Sequence, residues 1–213
     1  MKSQLLIVIL LTILESCTAA PIGKPVPMLD FKPGMIDKKL YKGTIKEGKR
    51  WKDSRGENIV ILTESGVYWK NVYDATRSAK LFAYHFIRSS DSTGTLKEVW
   101  KLNEMVDDCA FDIRCEFFDN SLTITDLDGD GTAEVSFVYV LGCKEGFSPE
   151  QKKLVLYEGN DQYRIKGTTT VFKGKEKLGG DKEADKKFEQ APDAFLEYAD
   201  KEWDKFGIAK SSK

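Results

Sequence analysis

Ser121-Leu122-Thr123-Ile124-Thr125 runs into Asp126-Leu127-Asp128-Gly129-Asp130-Gly131-Thr132-Ala133-Glu134 and leaves through Val135-Ser136-Phe137-Val138-Tyr139. Both flanks are rich in β-branched and aromatic residues, which suit a pleated surface, and the centre is rich in Asp and Gly, which suit a tight turn. The stretch therefore predicts two strands joined by an acidic loop.

Carboxylates stand at loop positions one, three, five and nine, with glycine at position six. Calcium takes roughly six to eight oxygen ligands, and alternate Asp side chains on a tightly curved backbone converge on it. Gly131 permits the curvature, and the Thr132 carbonyl would supply position seven. An EF-hand also needs a bidentate Glu at position twelve and helical flanks; here position twelve is Phe137 and the flanks read as strands. The candidate metal ligands are thus Asp126, Asp128, Asp130, Thr132 and Glu134, with calcium as a structural cofactor, because all plausible ligands come from the protein and no neighbouring nucleophile or general base is apparent. The competing reading is an Asx-rich turn without metal. It leaves four carboxylates to repel one another with no cation between them.

Working outward, short β-rich runs recur: Asn58 to Thr63, Val67 to Lys70, Leu81 to Ile87, Thr95 to Leu102, Lys153 to Tyr157 and Tyr163 to Gly167. Turn residues separate them, at Glu64-Ser65-Gly66, Ser89 to Gly94 and Gly159-Asn160-Asp161. Pro192 to Phe206 has helical spacing instead, with Phe195, Ala199, Trp203 and Phe206 on one stripe and Gly207 placed as a stop. Lys173 to Lys187 reads as a solvated connector. The predicted fold class is mainly β (α+β): an antiparallel meander of about eight strands with a C-terminal helix packed on it.

The N-terminus reads as an address. Lys2 precedes an apolar run from Leu5 to Leu14, too short for the roughly 20 residues of a membrane span. Leu14-Glu15-Ser16-Cys17 resembles a lipobox, which implies cleavage before Cys17 and its acylation. Cleavage after Thr18-Ala19-Ala20 is the alternative, with Pro21 following the cut. The expected organisation is a lipoprotein signal at 1–17, a flexible tether at 18–49 that holds Pro21, Pro25, Pro27 and Pro33, and one β-rich domain at 50–213.

Lys and Arg number 33 against 34 Asp and Glu. That balance argues against a nucleic-acid partner, which would require a basic face. His85, the single histidine, lies between Tyr84 and Phe86 and reads as a packed strand residue rather than a catalytic base. Asp107, Asp108 and Asp112 could contribute to a carboxylate pair of the glycosidase type, and Trp51, Tyr68, Trp69 and Trp100 to a sugar-stacking surface. Loop-ordering contacts and core packing are the default for both sets.

Trp51-Lys52-Asp53 with Gly56 to Ile59, Asp108-Cys109, Asp112, Ser121 to Glu134, Cys143, Ser148-Pro149, Lys153-Leu154, Tyr157 to Gly159 and Tyr163 to Thr168 together resemble a family of small exported Bacteroidota proteins, some labelled as surface polysaccharide biosynthesis proteins. The acidic loop itself is similar to the FG-GAP type of calcium blade. The resemblance covers a little over half of the chain and implies a process without catalytic residues.

In an exported protein Cys109, Cys115 and Cys143 are disulfide candidates. Cys109 and Cys115 would stand about 20 Å apart on a straight strand and pair only if the segment folds back. Hairpin counting across the acidic loop brings Cys143 near Cys115, whereas the resemblance implies Cys109 with Cys143. The expected function is a non-enzymatic, calcium-ordered envelope lipoprotein whose partners are the membrane, through its anchor, and a glycan or envelope protein. The alternatives are a hydrolase with paired carboxylates and a carbohydrate-binding or adhesion module.

Overall fold

Apolar residues follow one another without alternation in Ile59-Val60-Ile61-Leu62 and again from Phe137 to Leu141, the pattern of strands covered on both faces. In the computed structural model, which describes residues 23–88 and 94–209, both runs lie at the centre of layered, mainly antiparallel sheets. The first strands are β1 (Met28–Leu29), β2 (Thr44–Asp53), β3 (Gly56–Asn71), β4 (Thr76–Arg88) and β5 (Leu96–Cys109). Next come β6 (Asp112–Phe117), β7 (Thr123–Thr125), β8 (Glu134–Lys144), β9 (Gln151–Glu158) and β10 (Asp161–Thr168). The last are β11 (Thr170–Lys173), β12 (Glu176–Gly179), β13 (Lys182–Ala184) and, after the helix α1 (Asp193–Lys205), β14 (Ile208–Ala209).

β1 to β5 form one sequential meander; β13-β10-β9-β8-β6 form a second sheet, with β7 also paired to β8. A small third sheet sets β11 between β12 and β14, the latter parallel to it. The protein is therefore mainly β with a C-terminal helix, as its sequence implies, and the strands divide between stacked sheets rather than continuing as one meander. Register explains the stacking. Val60, Leu62, Leu81, Ala83, Trp100 and Leu102 point to one side of the first sheet and meet Val135, Phe137, Tyr139, Val155 and Tyr157 of the second. Ile59, Ile61, Phe82, Tyr84 and Phe86 occupy the opposite face, and Val138, Leu154, Leu156 and Ile165 the far face of the second sheet. Each such side chain contributes roughly 1.5–3 kcal/mol when fully buried.

Both outer faces carry covers. Phe195, Ala199 and Trp203 of α1 pack on Leu154, Leu156 and Ile165. Lys152 Nζ donates to the Trp203 and Phe206 carbonyls at 3.0 and 2.8 Å, satisfying orphan groups at the helix end. The first sheet is covered by the segment expected as a tether. From Lys24 onward that segment is ordered against the domain: Ile36 is buried, Phe31 and Tyr41 pack beside it, and β1 pairs with β2. Prolines at 25, 27 and 33 exclude helix interior but are compatible with extended backbone, so proline content here marks a strap. Gly48 shows how closely it lies, because a Cβ there would sit 2.2 Å from the Phe31 ring. Cys17, the signal segment and the beginning of the tether lie outside the described residues, as do residues 89–93 between β4 and β5.

One turn reading and one connector reading change. Glu64-Ser65-Gly66 is a bulge within the continuous β3, where Gly66 has a φ of +68° and the Ser65 hydroxyl accepts from the Lys80 amide at 2.8 Å. The chain turns later, between Asn71 and Thr76, so Val67 and Trp69 are exposed on a projecting hairpin whose Tyr73 is 99% exposed. Within Lys173 to Lys187, β12 and β13 form; this connector is largely exposed, as expected, but it adds an edge strand to β10. Cys109 and Cys143 form the disulfide, Cα atoms 5.8 Å apart, and join the end of β5 to the end of β8. Cys115 is opposite Leu141 rather than Cys143, and its thiol points to the Ala79 carbonyl. Hairpin counting fails because two separate strands, β6 and β7, pair with β8 and the chain between them departs from it.

Candidate metal centre

β7 ends at Thr125 and β8 begins at Glu134, paired residue for residue, so the acidic stretch is a closed loop between antiparallel strands. Asx turns curl it: Asp128 Oδ1 accepts from the Asp130 amide at 3.1 Å and Asp130 Oδ1 from the Thr132 amide at 2.6 Å. Gly131 adopts φ +89°, a conformation that strains any residue with a Cβ. The loop is also tied to the first sheet. The Ser54 amide donates to the Gly131 carbonyl at 2.8 Å, and Asp53 Oδ2 accepts from the Ala133 amide at 3.3 Å. Burial opposes ionisation of Asp53, yet donors from Trp51, Arg55 and Ala133 outweigh it and lower its pKa.

Of the predicted set, Asp126, Asp128 and Asp130 place carboxylate oxygens within 4.8 Å of one another. Thr132 stands beside them on the same loop, with its hydroxyl 3.3 Å from Ser54 Oγ. Glu134 is fully buried and does not join that group. Its Oε2 accepts from the Leu127 amide at 2.7 Å and the Thr125 hydroxyl at 3.3 Å, while Oε1 has no partner. Glu134 instead converges with Asp128 and with Glu158, again within 4.8 Å.

Glu158 is the residue that sequence reasoning missed. It lies directly opposite Glu134 in the β8–β9 register, a position where like charges destabilise a sheet. A signal was present: Gly159-Asn160 marks the next turn, which puts Glu158 at the end of its strand as Glu134 is at the start of its own. Burial is the first cause raising the Glu158 pKa, and the charges of Asp128, Asp130 and Asp161 add to it. Glu134 is pushed up to about 8, by burial first; the Leu127 amide opposes this, and the Asp128 and Glu158 charges reinforce it. Lys24 was also unforeseen. Its amide donates to the Asp126 carbonyl and its ammonium to the Gly129 carbonyl, so the strap closes over the loop.

These residues fit a hard cation. The donors are all oxygens, and two buried ones, Asp126 Oδ1 and Glu134 Oε1, lack any hydrogen-bond partner among the described residues. An unpaired buried carboxylate oxygen is costly, and a divalent cation removes the cost.

The other singled-out residues resolve as packing or ordering groups. His85 lies between Trp51 and Trp100, ring centroids 5.3 Å from each. Both Asn58 amide protons are used, on Asp53 and the Gly56 carbonyl, so Asn58 Oδ1 accepts from His85 Nε2 at 2.9 Å. Burial drives the His85 pKa down to about 3. Asp107 accepts from Ser78 Oγ and Lys70 Nζ, and Asp108 from Thr76 Oγ1. Asp112 starts β6 opposite Lys144. Trp51 and Trp100 belong to the core, leaving Trp69 and Tyr68 as the exposed members of the aromatic set. No family model matches the chain, and neither a curated protein nor a solved structure matches it.

Proposed function

We propose that the chain is an exported, lipid-anchored and non-enzymatic envelope domain that uses calcium to order its acidic loop and that binds or scaffolds in surface polysaccharide assembly. The observation that carries the calcium reading is the pair of buried, unpartnered oxygens on Asp126 and Glu134. A simple turn has no use for them. Ordering by calcium would fasten three elements at once, because the loop touches the Lys24 strap, the β2–β3 turn at Ser54 and the end of β9 at Glu158. Extracellular calcium modules bind on the order of 0.1–1 mM, so millimolar calcium should raise the melting temperature of the purified protein. Asp128→Ala and Asp130→Ala should abolish the response. Identical melting curves in EDTA and calcium would refute the calcium reading. Anchoring is tested separately: Cys17→Ala should abolish fatty-acid labelling and move the protein to the soluble fraction.

The binding role has its own candidate surface. Trp69 is 61% exposed and Tyr73 fully so, on a hairpin that projects beyond the packed part of β3 and β4. Aromatic faces presented in this way suit stacking on sugar rings, which favours a carbohydrate-binding module as the second reading. Glycan-array signal lost in Trp69→Ala and Tyr73→Ala would support it. Signal unchanged by both would reject that surface.

A further inference from the structure

The five acidic side chains of the site do not form one cluster. Asp126, Asp128 and Asp130 make one set, and Asp128, Glu134 and Glu158 make another, each with its oxygens within 4.8 Å. Calcium–oxygen distances of roughly 2.3–2.6 Å make the shell about 5 Å across, so each set matches the span of one ion. Among the described residues the five form no larger set, and Asp128 alone belongs to both. We propose that the loop holds two calcium ions, with Asp128 shared between them: one at Asp126 and Asp130, the other at Glu134 and Glu158. This inference rests on the calcium reading given above and extends it.

A second observation, independent of acid density, supports the division. Each set contains one buried carboxylate with an unpartnered oxygen, Asp126 Oδ1 in the first and Glu134 Oε1 in the second. One ion at the outer set would leave Glu134 buried and unpaired; one ion at the inner set would do the same to Asp126. The second oxygen of Glu134 is already committed to the Leu127 amide and the Thr125 hydroxyl, which fixes the side chain. Asp128 is suited to sharing. It is exposed, its Oδ1 makes a single hydrogen bond to the Asp130 amide, and a carboxylate offers two oxygens and several lone pairs.

Charge points the same way. Among the described residues Lys24, on the Gly129 carbonyl, is the ammonium at the loop, and Arg55 and Lys187 are paired with Asp53 and Asp161. With all five carboxylates ionised and Lys24 charged, two divalent ions bring the site to neutrality. With a single ion the same ionised set keeps a double negative charge around two buried carboxylates, an unfavourable state at low local dielectric.

Calcium titration of the full exported chain by calorimetry, with native mass spectrometry as the second readout, decides between the possibilities. The expected result is two ions in the wild type and one in each of Glu158→Gln and Asp126→Asn. Glu158→Gln is nearly isosteric at a half-buried position, so it tests binding rather than folding. A single ion in the wild type overturns the shared site while leaving a calcium loop. Two ions retained by Glu158→Gln overturn the assignment of the inner set. No calcium at all overturns both this inference and the reading on which it rests.

Discussion

His85 and Glu134 are both ionisable side chains at 1% exposure or less, and the two regions that hold them meet burial in opposite ways. Around His85 the surroundings are aromatic and amide: Trp51 and Trp100 on its faces, Asn58 at Nε2, and a pKa driven to about 3, so the ring stays neutral. Around Glu134 the surroundings are acidic: Asp128 from the loop and Glu158 across the strand. Neutrality there requires either a proton, which the raised pKa of about 8 expresses, or a cation. His85 Nδ1 and the Trp100 indole nitrogen also lack hydrogen-bond partners among the described residues, but the first region is neutral by itself and the second is not. Burial of a charge-bearing group marks a site only when the neighbours leave its charge uncompensated.

The strongest break of this comparison would come from the core side. Trp100 stacks on Tyr157 with ring centroids 3.9 Å apart, next to Glu158 in sequence. Trp100→Ala should cost about 3–5 kcal/mol in urea denaturation. If the two regions are independent, the cost is equal in EDTA and in calcium. A cost that depends on calcium would show that the aromatic stack and the acidic site are coupled. Metal removal from the wild type should have the next largest effect: at a calcium concentration 100-fold above Kd, EDTA should lower stability by about 2.7 kcal/mol per ion. Asp126→Asn should reduce that difference, and His85→Gln should leave it unchanged.

A pH series separates the regions by sign. The folded pKa of His85 is depressed from 6.5 to about 3, so between these values the unfolded chain holds a proton that the folded one does not. Stability therefore falls as pH drops below 6.5, by about 1.4 kcal/mol per pH unit, with or without calcium. His85→Gln should flatten that limb. Glu134 acts in the opposite sense in EDTA. Its folded pKa stands above the ordinary 4.5, so its contribution weakens stability as pH rises from 4.5 toward 8, and calcium should remove that trend.

The sequence carried the β class, the C-terminal helix and the closed acidic loop, because period-two and helical spacing, Gly131 and alternate Asp residues are local signals. Other features depended on tertiary placement. Pro25, Pro27 and Pro33 suggested a tether, since nothing local says that Phe31 and Ile36 will find the outer face of β3 and β4. Glu64-Ser65-Gly66 looked like a hairpin turn, and only the partner strand decides whether such residues turn or bulge. Within the site, Asp126, Asp128 and Asp130 were legible as neighbours in sequence. Glu158 was not, because its place depends on the β8–β9 register, 24 residues away from Glu134 in the chain. The contrast with His85 was hidden as well, since composition shows one histidine but not the two indoles that enclose it.

The smallest effect discriminates best. Glu158 faces Glu134 across the β8–β9 ladder and lies within 4.8 Å of Asp128, so without a cation its charge works against the fold. Directly opposed pairs in sheets are worth roughly 0.2–1 kcal/mol, and Gln preserves the shape of Glu while removing the charge. In EDTA at about pH 9, where Glu134 with its pKa of about 8 is ionised, Glu158→Gln should therefore stabilise the protein, by up to about 1 kcal/mol. In calcium the same substitution removes a ligand and should destabilise it. Such a reversal of sign cannot arise from lost packing, which would cost the same in both buffers. Nor can it arise from a loop that is only a turn, in which the substitution would be stabilising or neutral throughout. Paired urea melts in EDTA and in 10 mM calcium, a level on the order of 100-fold above the tighter affinities of extracellular modules, resolve the two curves. The same sign in both buffers would mean that Glu158 is a bystander and that the incomplete region ends at the loop itself.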